Sequence, residues 1–234
     1  MLAKRIIPTI LVRGKTAYKG ERFVSTRSIG SALAIAQVHA RRGVDELCIL
    51  DISATEEGRG PDLDLVRELS DSCYIPITVG GGVKSLADID DLLRAGADKV
   101  CLRTGRWIIP RASERFGRQA IVYSLDVGAG YNAKAVVESA RSWESRGAGE
   151  LLLQSEDRDG TMQGYDLEMI RQVSAAVSIP VIASGGCRDY ADMLAAFKAG
   201  ADACAAGALF AFTDATPKGA ARYLQKQGME VRCN

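Results

Sequence analysis

The sequence predicts an α/β protein built as a closed (βα)8 barrel with a two-fold internal half-barrel repeat, and three observations carry that prediction. The stretch Ile75 to Thr104, IPITVGGGVKSLADIDDLLRAGADKVCLRT, recurs 104 positions later as Ile179 to Ala208, IPVIASGGCRDYADMLAAFKAGADACAAGA. Each copy runs strand, glycine turn, amphipathic helix, short strand, which is the βα unit of a parallel sheet. The same alternation continues on both sides of the copies and makes eight units, a number at which parallel strands with right-handed crossovers close into a barrel. No linker breaks the series, so residues 1–234 are expected to form one domain.

Taken in order, Arg5 to Val12 is the first strand, followed by a long connection through Gly14, Lys19 and Gly20 to a helix beginning near Ser31. Glu46 to Asp51 is the second strand and Asp62 to Ser72 its helix. In the first copy of the repeat, Ile75 to Val79 is the third strand, ended by Gly80-Gly81-Gly82, which cannot continue a packed strand. Ser85 caps a helix whose apolar positions Leu86, Ile89, Leu92 and Leu93 follow helical spacing, and Gly96 closes it. Lys99 to Arg103 is the fourth strand, with a short helix near Pro110 to Phe116. Ala120 to Asp126 is the fifth strand and Ala133 to Arg146 its helix. Arg42-Gly43-x-x-Glu46-Leu47 returns as Arg146-Gly147-x-x-Glu150-Leu151 and opens the sixth strand. Tyr165 to Ala176 is the sixth helix, the second copy supplies the seventh and eighth strands, and a last helix follows Thr216.

Composition narrows the function classes. A formal net charge of +1 leaves no electrostatic footprint for nucleic acid or an acidic membrane surface. A hydrophobic content of 47% is enough for a large core and argues against disorder. No apolar run reaches the ~18 residues of a membrane span, and the start MLAKRIIPTIL is too short for a secretory signal, so a cytoplasmic protein is expected. Cys48, Cys73, Cys101, Cys187, Cys204 and Cys233 never form a CxxC pair and several sit in apolar strands, which points to small buried thiols rather than a metal site or disulfides. The single histidine, His39, falls in a helical run and is expected to be solvated, leaving no histidine-centred triad or metal site. No metal and no cofactor are expected.

In such a barrel the chemistry belongs at the C-terminal ends of the strands. Gly81 and Gly82 after the third strand and Gly185 and Gly186 after the seventh let backbone N–H groups approach an anion, with a helix N-terminus behind each turn. Arg103-Thr104 and Ala206-Gly207 end the facing strands, so the rim offers two phosphate grips on opposite sides. Asp51 ends the second strand, Asp126 the fifth, and Glu156-Asp157-Arg158-Asp159-Gly160-Thr161 follows the sixth. Asp126 and Asp51 are the candidate proton-transfer groups, and a carboxylate satisfying loop amides remains the alternative for each.

The segments IIP and LV of the first strand, Tyr18-Lys19-Gly20, DELCILDISA, TVGGGV, GADKV, RGAGELLL, DRDGT with GYD, and IASGG together resemble the cyclase subunit of imidazole glycerol phosphate synthase across nearly the whole chain. The resemblance implies a glutaminase partner whose ammonia travels along the barrel axis to a bisphosphorylated ribulosyl formimino ligand. It implies that Arg5, Glu46, Lys99 and Glu150 form a ring of alternating charges at the channel mouth, and that Asp98 contacts the partner. Gly81, Gly82, Arg103, Thr104, Asp159, Gly160, Gly185, Gly186 and Gly207 are the expected phosphate-binding residues.

The rim departs from that pattern. Leu11 stands where the resemblance places a second catalytic aspartate, Arg103 where it places asparagine, and Ala208 where it places serine. The loop Val127 to Asn132 is much shorter than the corresponding hairpin. Three readings follow. One is a specialised paralogue passing ammonia to another acceptor, as in the amidine-forming step on acetamido sugars of lipopolysaccharide and other surface polysaccharides, with a third, amide-activating protein. The second is the histidine-pathway cyclase (a lyase) with another group replacing the absent acid. The third is a non-catalytic scaffold that binds a phosphorylated ligand.

Overall fold

The strands of the parallel wall are mostly apolar through their middles, as expected where both faces are covered, and carry their charged residues towards their ends. The computed structural model describes residues 3–104 and 107–231. In chain order the elements are β1 (Arg5–Arg13), β2 (Thr16–Glu21), β3 (Val24–Ser31), α1 (Ala32–Arg41), β4 (Leu47–Asp51), α2 (Leu63–Cys73), β5 (Ile77–Gly80), α3 (Leu86–Arg94), β6 (Lys99–Leu102) and α4 (Ile108–Phe116). The second half continues with β7 (Ile121–Val127), α5 (Ala133–Ser145), β8 (Glu150–Ser155), α6 (Leu167–Ser174), β9 (Val181–Ser184), α7 (Tyr190–Lys198), β10 (Ala203–Ala206), α8 (Ala208–Phe212) and α9 (Pro217–Lys226). β1 and β4 to β10 are all parallel, and the sheet closes because β10 pairs with β1, from Arg5 opposite Ala203 to Pro8 opposite Ala206. The predicted (βα)8 barrel is therefore the fold.

The two halves repeat in detail as well as in topology. Ser85 caps α3 by accepting from the Asp88 N–H, and Asp88 returns the contact in a capping box. At the equivalent place Asp189 caps α7 by accepting from the Asp192 N–H. Asp98 accepts from the Ile77 N–H at 2.8 Å, and its counterpart Asp202 accepts from the Val181 N–H at 3.1 Å.

The structure differs from expectation in three places. The connection from 14 to 30 is a hairpin: β2 runs antiparallel to β1, and β3 antiparallel to β2 with two register irregularities. Its strands alternate by burial, Ala17 and Lys19 inward, but too few of its residues are apolar to announce a strand. α8, of five residues, is too short to show a period. His39 is buried instead of solvated: it is 6% exposed on the inner face of α1, edge-on to Phe210, with Nδ1 lacking a hydrogen-bond partner. Burial lowers its pKa to about 4, with Arg42 acting in the same direction.

Inside the barrel, Ile7, Cys48, Cys101, Val122, Leu152, Ile182, Ala203 and Ala205 make an apolar plug. A larger core fills the space between the wall and the helices. Cys48, Cys73, Cys101, Cys187 and Cys204 are buried free thiols, and burial pushes Cys101, with Asp126 adding to it, up to about 12. Cys233 lies outside the described residues.

Candidate functional site

Two polar regions lie above and below this plug. At the N-terminal ends of the strands, Arg5 of β1 reaches Glu46 at 2.7 Å and Glu150 of β8 at 3.1 Å, while Lys99 of β6 reaches the same two carboxylates at 2.9 and 3.0 Å. Thr78 donates its hydroxyl to Glu46 at 2.6 Å. Two cations and two carboxylates thus close a four-membered ring whose charges cancel, and that cancellation is what makes their shared burial tolerable. Burial alone would lower the Arg5 pKa, but Glu150 and Glu46 outweigh it and the net shift is upward. Asp98 stands apart from the ring, exposed, with one oxygen on the β5 backbone. Just above the ring, a cavity of about 10 Å³ is lined by Glu46, Thr78 and the apolar plug, including Ala205 and Cys48. That is room for roughly one water-sized molecule.

At the other end, a cavity of about 300 Å³ collects nearly every rim residue singled out from the sequence. Gly81, Gly82, Arg103 and Thr104 line one side; Gly185, Gly186 and Gly207 line another; Asp51, Asp126, Asp159 and Gly160 stand between. Gly81 adopts φ +107°, and a Cβ there would collide with the carbonyl oxygen of Asp51; Gly185 repeats this against Ser155. These turns therefore require glycine, and they keep their backbone close to the cavity.

The two candidate acids are held differently. Asp51 Oδ1 accepts from the Ser53 and Ala54 N–H groups at 3.0 and 3.1 Å, and its Oδ2 lies 2.7 Å from the Arg59 guanidinium. Asp126 Oδ1 accepts from the Ser124 hydroxyl at 2.7 Å, and Oδ2 faces Arg103 Nη1 at 3.4 Å. Leu11 lines the same cavity and offers no proton-transfer group. The 127–132 connection is a short turn into α5, capped by Asn132 accepting from the Lys134 N–H.

Lys19 was not among the site residues anticipated from sequence. It projects inward from β2, is 4% exposed, forms no ion pair within 4 Å among the described residues, and packs its ammonium over Gly207, where a Cβ would overlap it. Burial lowers its pKa, with Asp159 opposing the shift. A buried cation lacking a close counter-ion beside two glycine turns is suited to an anionic group. The signal in the sequence was Tyr18-Lys19-Gly20, but only the hairpin turns that lysine inward. The hairpin is in turn tied to the rim, since the Arg22 N–H donates to the Asp159 carbonyl at 2.9 Å.

The arrangement so far is a barrel with a neutralised charge ring at one mouth and an anion-suited cavity at the other. A profile described as "Histidine biosynthesis protein" matches residues 5–216. The chain belongs to that family. Within it, the chain is HisF-like: it is 41% identical over 255 aligned positions to imidazole glycerol phosphate synthase subunit HisF of Clostridium botulinum (strain Kyoto / Type A2), covering 99% of this chain and 100% of that relative. It is also 41% identical to the subunit of the same name from Hyphomonas neptunium (strain ATCC 15444), covering 99% of each chain. The first alignment is longer than this chain's 234 residues, so this family member carries deletions relative to that HisF.

Proposed function

We propose that the chain is the synthase subunit of a glutamine amidotransferase, receiving ammonia from a glutaminase that docks at the charge-ring face and delivering it to a phosphorylated acceptor in the 300 Å³ cavity. The observation that carries this reading is the axial series: a self-compensating ring, a water-sized cavity above it, a plug that includes two alanines, and the rim cavity beyond. Arg5, Glu46, Lys99 and Glu150 are the gate, with Asp98 as a partner contact. Gly81, Gly82, Arg103, Thr104, Asp159, Gly160, Gly185, Gly186 and Gly207 hold phosphate, joined by Lys19. Asp126 is the leading proton-transfer group, because Asp51 already serves two amides and a guanidinium.

One carboxylate suits a step with a single proton relay, such as ammonia adding to an activated carbon. An acid/base pair would need a second group, and Leu11 faces the cavity instead. The acceptor we favour is an activated acetamido sugar, with an amide-activating protein as third partner, in the cytoplasmic stage of surface polysaccharide synthesis. This finer assignment is supported by the resemblance of the altered rim to such paralogues.

A second reading, the histidine-pathway cyclase, is favoured by 41% identity along the full length of HisF. The purified chain supplied with an ammonium salt and the ribulosyl formimino bisphosphate separates the two. Turnover at the rate of an ordinary cyclase supports the second reading and sinks ours. Background turnover, rising in the Leu11→Asp/Arg103→Asn double variant, supports ours. If the chain neither binds a glutaminase nor stimulates its glutamine hydrolysis, both fall and a phosphate-binding scaffold remains.

A further inference from the structure

The Arg103–Asp126 pair sits where ligand binding and proton transfer meet. Arg103 directly follows β6 and adjoins Thr104, both on the wall of the cavity next to the Gly80–Gly82 turn. Its side chain is 61% exposed, whereas that of Asp126 is 14% exposed. The two meet through a single contact of 3.4 Å, while the other Asp126 oxygen is fixed by Ser124 at 2.7 Å. The carboxylate is thus held in place without Arg103, and the guanidinium is the movable member.

We infer that Arg103 is a positioning residue that exchanges partners: its guanidinium rests on Asp126 Oδ2 and turns to a ligand phosphate entering between Gly82 and Thr104, which uncovers Asp126 for proton transfer. The inference rests on the proposed phosphorylated acceptor. An exposed single-contact ion pair is a weak interaction. A phosphate offers the same guanidinium two parallel charge-assisted hydrogen bonds and wins the competition. The reach is short because the phosphate site begins at the very next residue, Thr104. The buried Lys19 ammonium on the same cavity independently marks it as built for an anion. The consequence is ordered chemistry: with a pair worth about fivefold, Asp126 is covered in most unliganded molecules and is uncovered once an acceptor phosphate has taken Arg103.

Inorganic phosphate is the probe, titrated into the folded chain and into Asp126→Asn, Arg103→Asn and the double variant. Asp126 competes for Arg103, so Asp126→Asn tightens phosphate binding by about fivefold, the strength of an exposed ion pair, and has much less effect in the Arg103→Asn background. In the unsubstituted chain, the 15N resonance of the Arg103 guanidinium, assigned by its loss in Arg103→Asn, moves as phosphate is added. Arg103→Lys keeps the charge but not the fork, and recovers only part of the affinity lost in Arg103→Asn. Equal tightening by Asp126→Asn in both backgrounds would mean a general field effect and overturn the exchange, as would a stationary Arg103 resonance. Failure of phosphate to bind the unsubstituted chain at all would remove the phosphorylated-acceptor reading together with the exchange.

Discussion

Replacing Lys99 with methionine removes one of the two cations from the ring and leaves Glu46 and Glu150 to share Arg5. The side chain of Glu46 is 3% exposed and that of Glu150 12%, so water replaces little of the lost attraction. Deleting one member of a fully buried ion pair costs about 3–5 kcal/mol. Lys99 is itself 16% exposed, which brings the expectation down to about 2–4 kcal/mol. In a chain of this length each kcal/mol lowers Tm by roughly 2–4 °C, so a fall of several degrees or more is expected in a thermal scan followed by circular dichroism. Pairing Lys99→Met with Glu150→Gln restores a balance of one cation to one carboxylate and should recover more than half of the loss. A single variant within ~0.5 kcal/mol of the parent, or a double variant no more stable than the single, would refute the reasoning by showing that the four charges are solvated separately.

Other expectations follow from the same geometry. His39 is held neutral with a pKa of about 4, so as pH falls from 6.5 toward 4 the unfolded chain takes up a proton that the folded chain refuses, and stability drops by up to ~3 kcal/mol; denaturant melts of His39→Leu should lack that acid-side loss. A Cβ at Gly207 displaces the Lys19 ammonium, so Gly207→Ala should weaken phosphate binding roughly tenfold, the scale of a lost hydrogen bond to a charged group, as read by calorimetry. Ser85→Ala opens the capping box on α3 and should cost about 1 kcal/mol in chemical denaturation, with phosphate affinity unchanged.

The barrel was legible because its signal is redundant. Glycine turns, helix caps and apolar strands each occur twice, 104 residues apart, so a weak reading in one half is corrected by the other. The position of the rim glycines and Asp126 around the upper cavity was legible for a related reason, since the C-terminal strand ends of a parallel barrel converge on one face. What the pattern could not convey was side-chain direction. Lys19 looks like a surface lysine until the hairpin folds back and places it over Gly207. His39 looks solvated because Phe210, whose ring it packs against, is far away in sequence. Asp51 lies at the C-terminal end of its strand much as Asp126 does, one residue from the end of β7, but only the structure shows its two oxygens committed to the loop amides and Arg59. Each of these depends on contacts between distant segments, which hydrophobic periodicity does not encode.

The charge ring also has a place in time. Its members enter the growing chain as Arg5, Glu46, Lys99 and Glu150, whereas the strand that closes the barrel, β10, begins only at Ala203. Synthesis runs from the N-terminus, so all four charges are in the chain before the closing strand β10 is available to shut the barrel around them. Enclosure then falls on a ring whose partners already exist, so no member has to be buried alone on the way to the native state.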